Sequence, residues 1–114
     1  MREYRLYIED IADSIKRIKA YTKNISFEQF AKDNMRIDAV IRNFEIIGEA
    51  SRQLPKETRT KYDEVSWRDL ISFRNVIIHE YFGVNHKIMW DIIQNELPTL
   101  SRKINTLLKQ LPKK

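Results

Sequence analysis

The chain has 114 residues, of which 42% are hydrophobic and 32% are charged, with two glycines and three prolines. We expect one domain over residues 1–114, because this length and composition are typical of a single folded helical unit and not of a disordered or fibrous chain. The chain has no cysteine, which excludes disulfides and thiolate metal sites. No apolar leader follows Met1 and no apolar run approaches the ~20 residues of a membrane span, so we expect a cytoplasmic protein that does not enter membranes.

Positive charge is concentrated at the C-terminal end of the chain. The 21 lysines and arginines exceed the 16 aspartates and glutamates by the formal net charge of +5. Residues 98–114 contain no acid and carry that whole excess, in Arg102, Lys103, Lys109, Lys113 and Lys114. A basic end attracts polyanions, so Arg102, Lys103 and Lys109 are candidate RNA-binding residues. A merely solvated terminus is the alternative.

The first third of the chain predicts two helices separated by a stop. Apolar residues recur at helical spacing from residue 2 to about residue 23, which is typical of a long amphipathic helix, and Asn24 can end it. Ser26 and Gln29 then match a capping box, in which each side chain satisfies the main-chain amide of the other residue. A short helix anchored by Phe27 and Phe30 should follow.

A central helix is predicted next. Asp33 or Asn34 can cap it, and its apolar face continues toward Leu54, where Pro55 ends the helix and opens a short helical turn. A glycine inside a helix costs about 1 kcal/mol relative to alanine. Gly48 is therefore either tolerated or required by another main chain that passes close by.

Further helical segments complete the prediction. One helix should begin after Ser66, which together with Asp69 resembles a second capping box, and should end at Gly83. Asn85 can cap another helix, which is broken or kinked at Pro98 and then resumes. Because the sequence contains no strand pattern, glycine-rich phosphate loop or repeat, we predict an all-α bundle of four to five helices.

Three chemically capable residues lie near the end of the helix that follows Ser66. Arg74 is a fixed cation with a planar fork suited to phosphate, His79 can exchange a proton near neutral pH, and Tyr81 offers a hydroxyl. At about 100° per residue, however, His79 points about 140° away from Arg74. Either the helix loosens before Gly83 or a second chain supplies the facing group. The structural alternative is a surface ion pair for Arg74 and a partly buried histidine.

The sequence does not indicate a metal site. His79 and His86 are seven residues apart, and no cluster of histidines and carboxylates at ligand spacing accompanies them. We therefore expect no metal and no other cofactor. Arg74 could hold a phosphate while His79 exchanges protons with a ribose 2′-hydroxyl or the leaving oxygen, which is the division of labour of RNA cleavage.

Four sequence blocks resemble a known family. The segment RNVIIHEY at residues 74–81 resembles the signature of HEPN domains, and its tyrosine is similar to that of the HepT-like branch of ribonuclease toxins. Blocks similar to the same branch are FEIIGEA at residues 44–50, WRDLI at residues 67–71, and the segment at residues 90–98. The resemblance covers nearly the whole chain.

The resemblance implies a HEPN-like bundle that forms a homodimer, with the arginine and histidine of both protomers facing one composite cleft. It also implies a metal-independent ribonuclease toxin of a type VII-like toxin–antitoxin system, cleaving tRNA or mRNA. The implied partner is a nucleotidyltransferase antitoxin of the MntA type, which adenylylates the motif tyrosine. On this chain the catalytic residues would be Arg74 and His79, the supporting residue Asn75, and the AMP-modified residue Tyr81.

A non-enzymatic function is the rival hypothesis. In it, the same helical module binds a nucleotide or only holds its partner. The balanced charge of residues 1–97, which carry 16 residues of each sign, is the sequence feature in its favour.

Overall fold

The computed structural model describes residues 3–79 and 85–112, and within those ranges the chain forms seven α-helices and no strand. They are α1 (Tyr4–Thr22), α2 (Phe27–Ala31), α3 (Asn34–Gln53), α4 (Lys56–Lys61), α5 (Trp67–His79), α6 (His86–Asn95) and α7 (Leu97–Gln110). Five of these have ten residues or more, while α2 and α4 have five and six. The prediction of an all-α bundle is confirmed.

The sequence signals at the end of α1 and at the starts of α2 and α3 act as predicted. Asn24 adopts a left-handed conformation with φ of 62°, just after α1 ends. At α2 the amide of Gln29 donates to Oγ of Ser26 at 3.1 Å, and the amide of Ser26 donates to Oε1 of Gln29 at 2.9 Å. Asp33 caps α3, because its Oδ1 accepts a hydrogen bond of 3.0 Å from the amide of Arg36. These side chains satisfy amides that have no partner inside the helix.

The boundaries in the second half use main-chain as well as side-chain acceptors, and nothing described tests the predicted capping box of Ser66 and Asp69. The amides of Asp69 and Leu70 donate to the main-chain oxygen of Ser66, where α5 begins. Asn85 caps α6 by accepting the amides of Lys87 and Ile88 at 2.9 and 3.1 Å. The predicted break falls at Glu96, and Pro98 lies in the first turn of α7, where a missing amide costs nothing. The predicted stop at Gly83 lies outside the described residues.

α3 is the centre of the bundle. It packs against α1 on one side and α5 on another, while α7 packs against α1 and α6. α2 packs between α3 and α6, and there the ring of Trp90 lies tilted against those of Phe27 and Phe30, with centroids 6.2 and 5.3 Å away. The core residues include Ile11, Phe30, Phe44, Ile47, Trp67, Ile77, Met89 and Ile104. The position of α5 is therefore set by its contact with the central helix.

The first and last helices are also joined by one side chain. Arg5 pairs through Nε with Glu9 at 3.0 Å, one turn along α1. Its Nη1 donates to the main-chain oxygens of Leu108 and Pro112, each at 3.4 Å. Arg5 thus contacts the last turn of α7 and Pro112, two residues beyond the helix.

Candidate functional site

α5 approaches α3 so closely at Gly48 that no side chain fits between the two helices. A Cβ atom on Gly48 would lie 2.1 Å from Cβ of Arg74 and 2.9 Å from the main-chain oxygen of Leu70. Gly48 does not have a positive φ, so the glycine is needed for space and not for an unusual conformation. The prediction of a close main chain is confirmed, and that main chain belongs to the helix that carries Arg74.

The guanidinium of Arg74 is held from two sides. Nη2 lies 3.1 Å from Oε2 of Glu49 on α3, and Nη1 donates to Oδ1 of Asn75 at 3.0 Å. The side chain is 25% exposed, so the guanidinium is partly accessible to solvent. Nε is buried without a hydrogen-bond partner among the described residues. Within that part of the chain, one N–H on each Nη atom remains for a ligand, a pair that suits bidentate binding of phosphate.

Glu49 is itself fixed by its own helix. Oε1 accepts hydrogen bonds from Nη2 of Arg52 at 2.8 Å and from Nε2 of Gln53 at 3.1 Å. The hydrogen bond from Arg52 is the largest cause that lowers the pKa of Glu49, followed by the one from Gln53; the charges of Arg52 and Arg74 lower it further, and partial burial opposes them. Glu49 is therefore ionised at neutral pH and presents a stationary negative charge to Arg74.

The ion pair with Glu49 agrees with the structural alternative for Arg74. It does not oppose catalysis, because a guanidinium carries five donors and Glu49 uses one of them. An arginine whose orientation is already fixed loses less entropy when it binds a phosphate. The pair therefore suits a side chain that positions an anion as well as one that only joins two helices.

His79 is the last residue of α5, which stays α-helical from Trp67 to that point. The main-chain positions of Arg74 and His79 are therefore rotated by about 140° around one helix axis. A single α5 does not place both residues on one face. The side chain of His79 lies outside the described residues, as do Tyr81, the predicted modification site, and the rest of residues 80–84.

A cleft of about 450 Å³ opens beside the contact between α3 and α5. Its apolar wall includes Phe44 and Phe73, whose rings meet edge to face with centroids 5.0 Å apart. Phe73 directly precedes Arg74, yet neither Arg74 nor Asn75 lines the cleft. We therefore place the candidate site at the surface around Arg74, with the cleft as its neighbour.

The basic residues predicted to bind RNA lie on α7. Arg102 donates from Nη2 to Oγ1 of Thr99 at 3.2 Å, and Lys109 is exposed. Lys103 lines the cleft that also contains Phe73, so it is the member of the set that shares a cavity with α5. Lys113 and Lys114 lie outside the described residues.

Residues 3–79 and 85–112 contain neither a cluster suited to a metal ion nor a helix suited to a bilayer. In these ranges no three histidine, aspartate or glutamate side chains group closely enough to hold a metal ion. Across the same residues, no helix has the length and apolar character that a bilayer crossing requires.

The sequence did not reveal the role of Glu49. Glu49 belongs to the FEIIGEA block, but its partner Arg74 lies on another helix. The spacing of residues along one helix cannot show an ion pair between two helices. The close approach at Gly48 was the one available signal, because a main chain that touches Gly48 also comes near the next residue. The site that results can bind an anion and fix its orientation.

Comparison with known proteins places these residues in a family context. The family model described as “Ribonuclease HepT-like” matches residues 11–107. A “Putative RNase” of Caldanaerobacter subterraneus subsp. tengcongensis is 41% identical, covering 96% of this chain and 98% of its own length. A “Probable ribonuclease HepT” of Thermococcus cleftensis is 39% identical, covering 95% and 98%, and a “Putative RNase” of Methanocaldococcus jannaschii is 36% identical, covering 96% and 91%. No solved structure matches the chain.

Proposed function

Because the chain belongs to the ribonuclease HepT-like family and is an endoribonuclease, we propose that it is the toxin of a type VII-like toxin–antitoxin module. It acts in the cytoplasm as a homodimer and cleaves tRNA or mRNA without a metal ion. The observation that carries this proposal is the guanidinium of Arg74, which Glu49 and Asn75 anchor while, among the described residues, one N–H on each Nη atom remains for a phosphate.

Arg74 binds the scissile phosphate in this mechanism. The free N–H of each Nη atom contacts a phosphate oxygen, and the charge of Arg74 stabilises the negative charge that builds up as the 2′-oxygen attacks phosphorus. The bond from phosphorus to the 2′-oxygen forms and the bond to the 5′-oxygen breaks. Asn75 keeps the guanidinium in this orientation, so it supports catalysis without touching the substrate.

His79 transfers the protons. The reaction removes one proton from the 2′-hydroxyl and adds one to the leaving 5′-oxygen, so it needs a base and an acid. A dimer supplies two copies of His79 in one composite cleft. The rotation of about 140° between Arg74 and His79 on one helix supports this arrangement, because groups from two protomers can meet where groups from one helix cannot.

Two further assignments complete the proposal. A nucleotidyltransferase antitoxin transfers AMP from ATP to the hydroxyl of Tyr81, with pyrophosphate as the leaving group. The added AMP brings bulk and roughly one negative charge next to the phosphate site, so substrate binding is blocked by sterics and repulsion.

Arg102, Lys103 and Lys109 raise the affinity for RNA without choosing the cleavage position.

Cleavage in the presence of a chelator tests the catalytic part. Purified full-length protein should cut tRNA or mRNA in EDTA, and His79→Ala should lose this activity while keeping its helical circular dichroism. His86→Ala is the matched control, because it removes the other histidine of the chain, at the first position of α6. Full cleavage by folded His79→Ala would overturn the assignment. A wild-type protein that binds nucleotide or partner but cuts no RNA would favour the non-catalytic module.

Intact mass tests the modification. After incubation with the antitoxin, ATP and Mg²⁺, the wild type and a Tyr62→Phe control should gain the mass of AMP, and Tyr81→Phe should not. Tyr81→Phe keeps the ring and removes the acceptor oxygen, so it should remain an active ribonuclease that the antitoxin no longer silences by modification. An equal gain on Tyr81→Phe would place the modification elsewhere.

A further inference from the structure

An open groove lies between α4 and the first half of α5. It has a volume of about 770 Å³ and brings Lys56 and Arg59 of α4 together with Arg68 of α5. The hydroxyl-bearing residues Thr60, Ser66 and Ser72 also line it. Among the described residues that form its walls, Asp69 is the single acid. The α4–α5 groove, defined by these residues, therefore has a positive local charge.

The three cations of the α4–α5 groove are not neutralised within the described part of the chain. The ion pairs found there involve other cations, such as Arg5 and Arg36, and none includes Lys56, Arg59 or Arg68. Nε of Arg59 is buried, and among the described residues it has no hydrogen-bond partner. A buried donor without an acceptor is unfavourable, so Arg59 is a cation whose hydrogen bonds the described part of the fold leaves incomplete.

α5 connects the α4–α5 groove to the candidate catalytic residues. Ser72, Asn75 and His79 follow Arg68 by four, seven and eleven residues, so their main-chain positions lie within about 40° of one line along the helix. Arg68, Ser72 and Asn75 are exposed. Ser72 belongs to the groove, and Asn75 holds Arg74. A strand that follows this line passes from the groove to the guanidinium.

We propose that the α4–α5 groove binds the sugar–phosphate backbone of the RNA substrate and leads the strand to Arg74. This inference rests on the proposed function, since it assigns a binding surface to the same reaction. The unpaired cations suit phosphates, and the hydroxyl groups suit phosphate and ribose oxygens. An extended polyanion fits these features better than a single small anion, because they continue along α5 to the site of cleavage.

The salt dependence of RNA binding tests the proposal. The probe is a single-stranded RNA, titrated against the full-length His79→Ala protein, which does not cut it. The test variant carries Lys56→Gln, Arg59→Gln and Arg68→Gln in addition to His79→Ala. A plot of log affinity against log salt has a negative slope, of about −0.7 for each phosphate contact to a single strand. Losing three contacts should therefore make the slope less negative by about 2. In the cleaving protein the same three substitutions should raise KM and leave kcat nearly unchanged.

Matched variants separate local contacts from net charge. Lys16→Gln, Arg17→Gln and Lys19→Gln remove the same charge from exposed positions of α1 and should change the slope much less. Arg59→Lys and Arg68→Lys keep the charge and should retain most of the affinity. Circular dichroism of each variant confirms that the helices are intact.

The outcomes distinguish two failures. A protein that neither binds nor cuts RNA with the groove intact would disprove the proposed function, and the inference with it. A protein that cuts RNA but whose salt slope responds equally to the groove and α1 substitutions would disprove only the inference. Unchanged RNA binding together with lost inhibition by the antitoxin would identify the groove as a protein-docking surface, and that too would overturn the proposal.

Discussion

Two sets of cations on this molecule differ in how firmly the fold holds them. Arg74 is packed against Gly48, and its guanidinium contacts both Glu49 and Asn75. Arg102 and Lys109 of α7 are exposed, and the described contact of Arg102 is a hydrogen bond to Thr99 on the same helix. A fixed cation can orient a phosphate during a reaction, whereas an exposed flexible one mainly attracts it from a distance. Equal charges therefore imply different functions.

Arg74→Lys should give the largest effect. A lysine keeps the charge but loses the planar fork, so it cannot contact Glu49, Asn75 and a phosphate in one fixed geometry. We expect kcat/KM for RNA cleavage to fall by about a hundredfold, the size seen when one transition-state donor is removed. Arg102→Lys makes the same exchange in the exposed set and should cause a much smaller loss. Similar losses for both variants would remove the distinction between the two sets.

Gly48→Ala tests the close packing directly. Alanine improves helix propensity by about 1 kcal/mol, but the new Cβ would lie 2.1 Å from Cβ of Arg74, and overpacking costs about 1 to 3 kcal/mol. We expect a net loss of about 1 kcal/mol in the free energy of unfolding by urea, with reduced cleavage because α5 is displaced. Arg42→Ala, at an exposed position of α3, is the control and should be nearly neutral. A more stable Gly48→Ala protein would show that the two helices separate without cost.

Glu49→Gln should give an intermediate effect. It removes the charge that orients Arg74, and since both side chains are partly exposed the pair is worth at most about 1 kcal/mol. That corresponds to a loss of about fivefold, which should fall on kcat more than on KM. Asp13→Asn on α1 makes the same charge change at an exposed site and serves as the control. An effect confined to KM would mean that Glu49 acts through the overall charge.

Arg102→Gln with Lys109→Gln should give the smallest effect. Both residues are exposed, so their influence on RNA is long-ranged and screened by salt. Binding should weaken a few-fold at low salt, and the difference from wild type should vanish near 1 M salt, where the Debye length is about 3 Å. A loss that persists at high salt would indicate a fixed contact and would place these residues with Arg74.

The fold could be predicted because its signals are local. The capping box at Ser26, the caps at Asp33 and Asn85, and the break before Pro98 each depend on residues within one turn of each other. Such interactions depend on residue types at fixed short spacings, so they can be recognised in the sequence itself. The central role of α3 was predicted from its long apolar face, and the close approach of another main chain was predicted from Gly48.

The site was predicted less completely, because its interactions join distant segments. Glu49 meets Arg74 across two helices, and no periodicity relates their positions. The α4–α5 groove was missed for another reason. Residues 1–97 carry equal numbers of acids and bases, so the net charge conceals a local cluster of cations that folding brings together at Arg59 and Arg68. The catalytic and supporting roles of Arg74, His79 and Asn75, the modification of Tyr81 and the RNA binding by α7 all stay predictions.

The contacts of Arg5 with Leu108 and Pro112 have a consequence for protein synthesis. Arg5 is separated from Leu108 by 103 positions along the chain. At about 5 to 20 residues per second, a ribosome needs roughly 5 to 20 s to make that length. During this interval α1 can pack on α3 but lacks α7, so part of its apolar face stays uncovered. The bundle therefore closes only after α7 has been made, and before that a growing chain has a short period in which other proteins in the cell can reach its core.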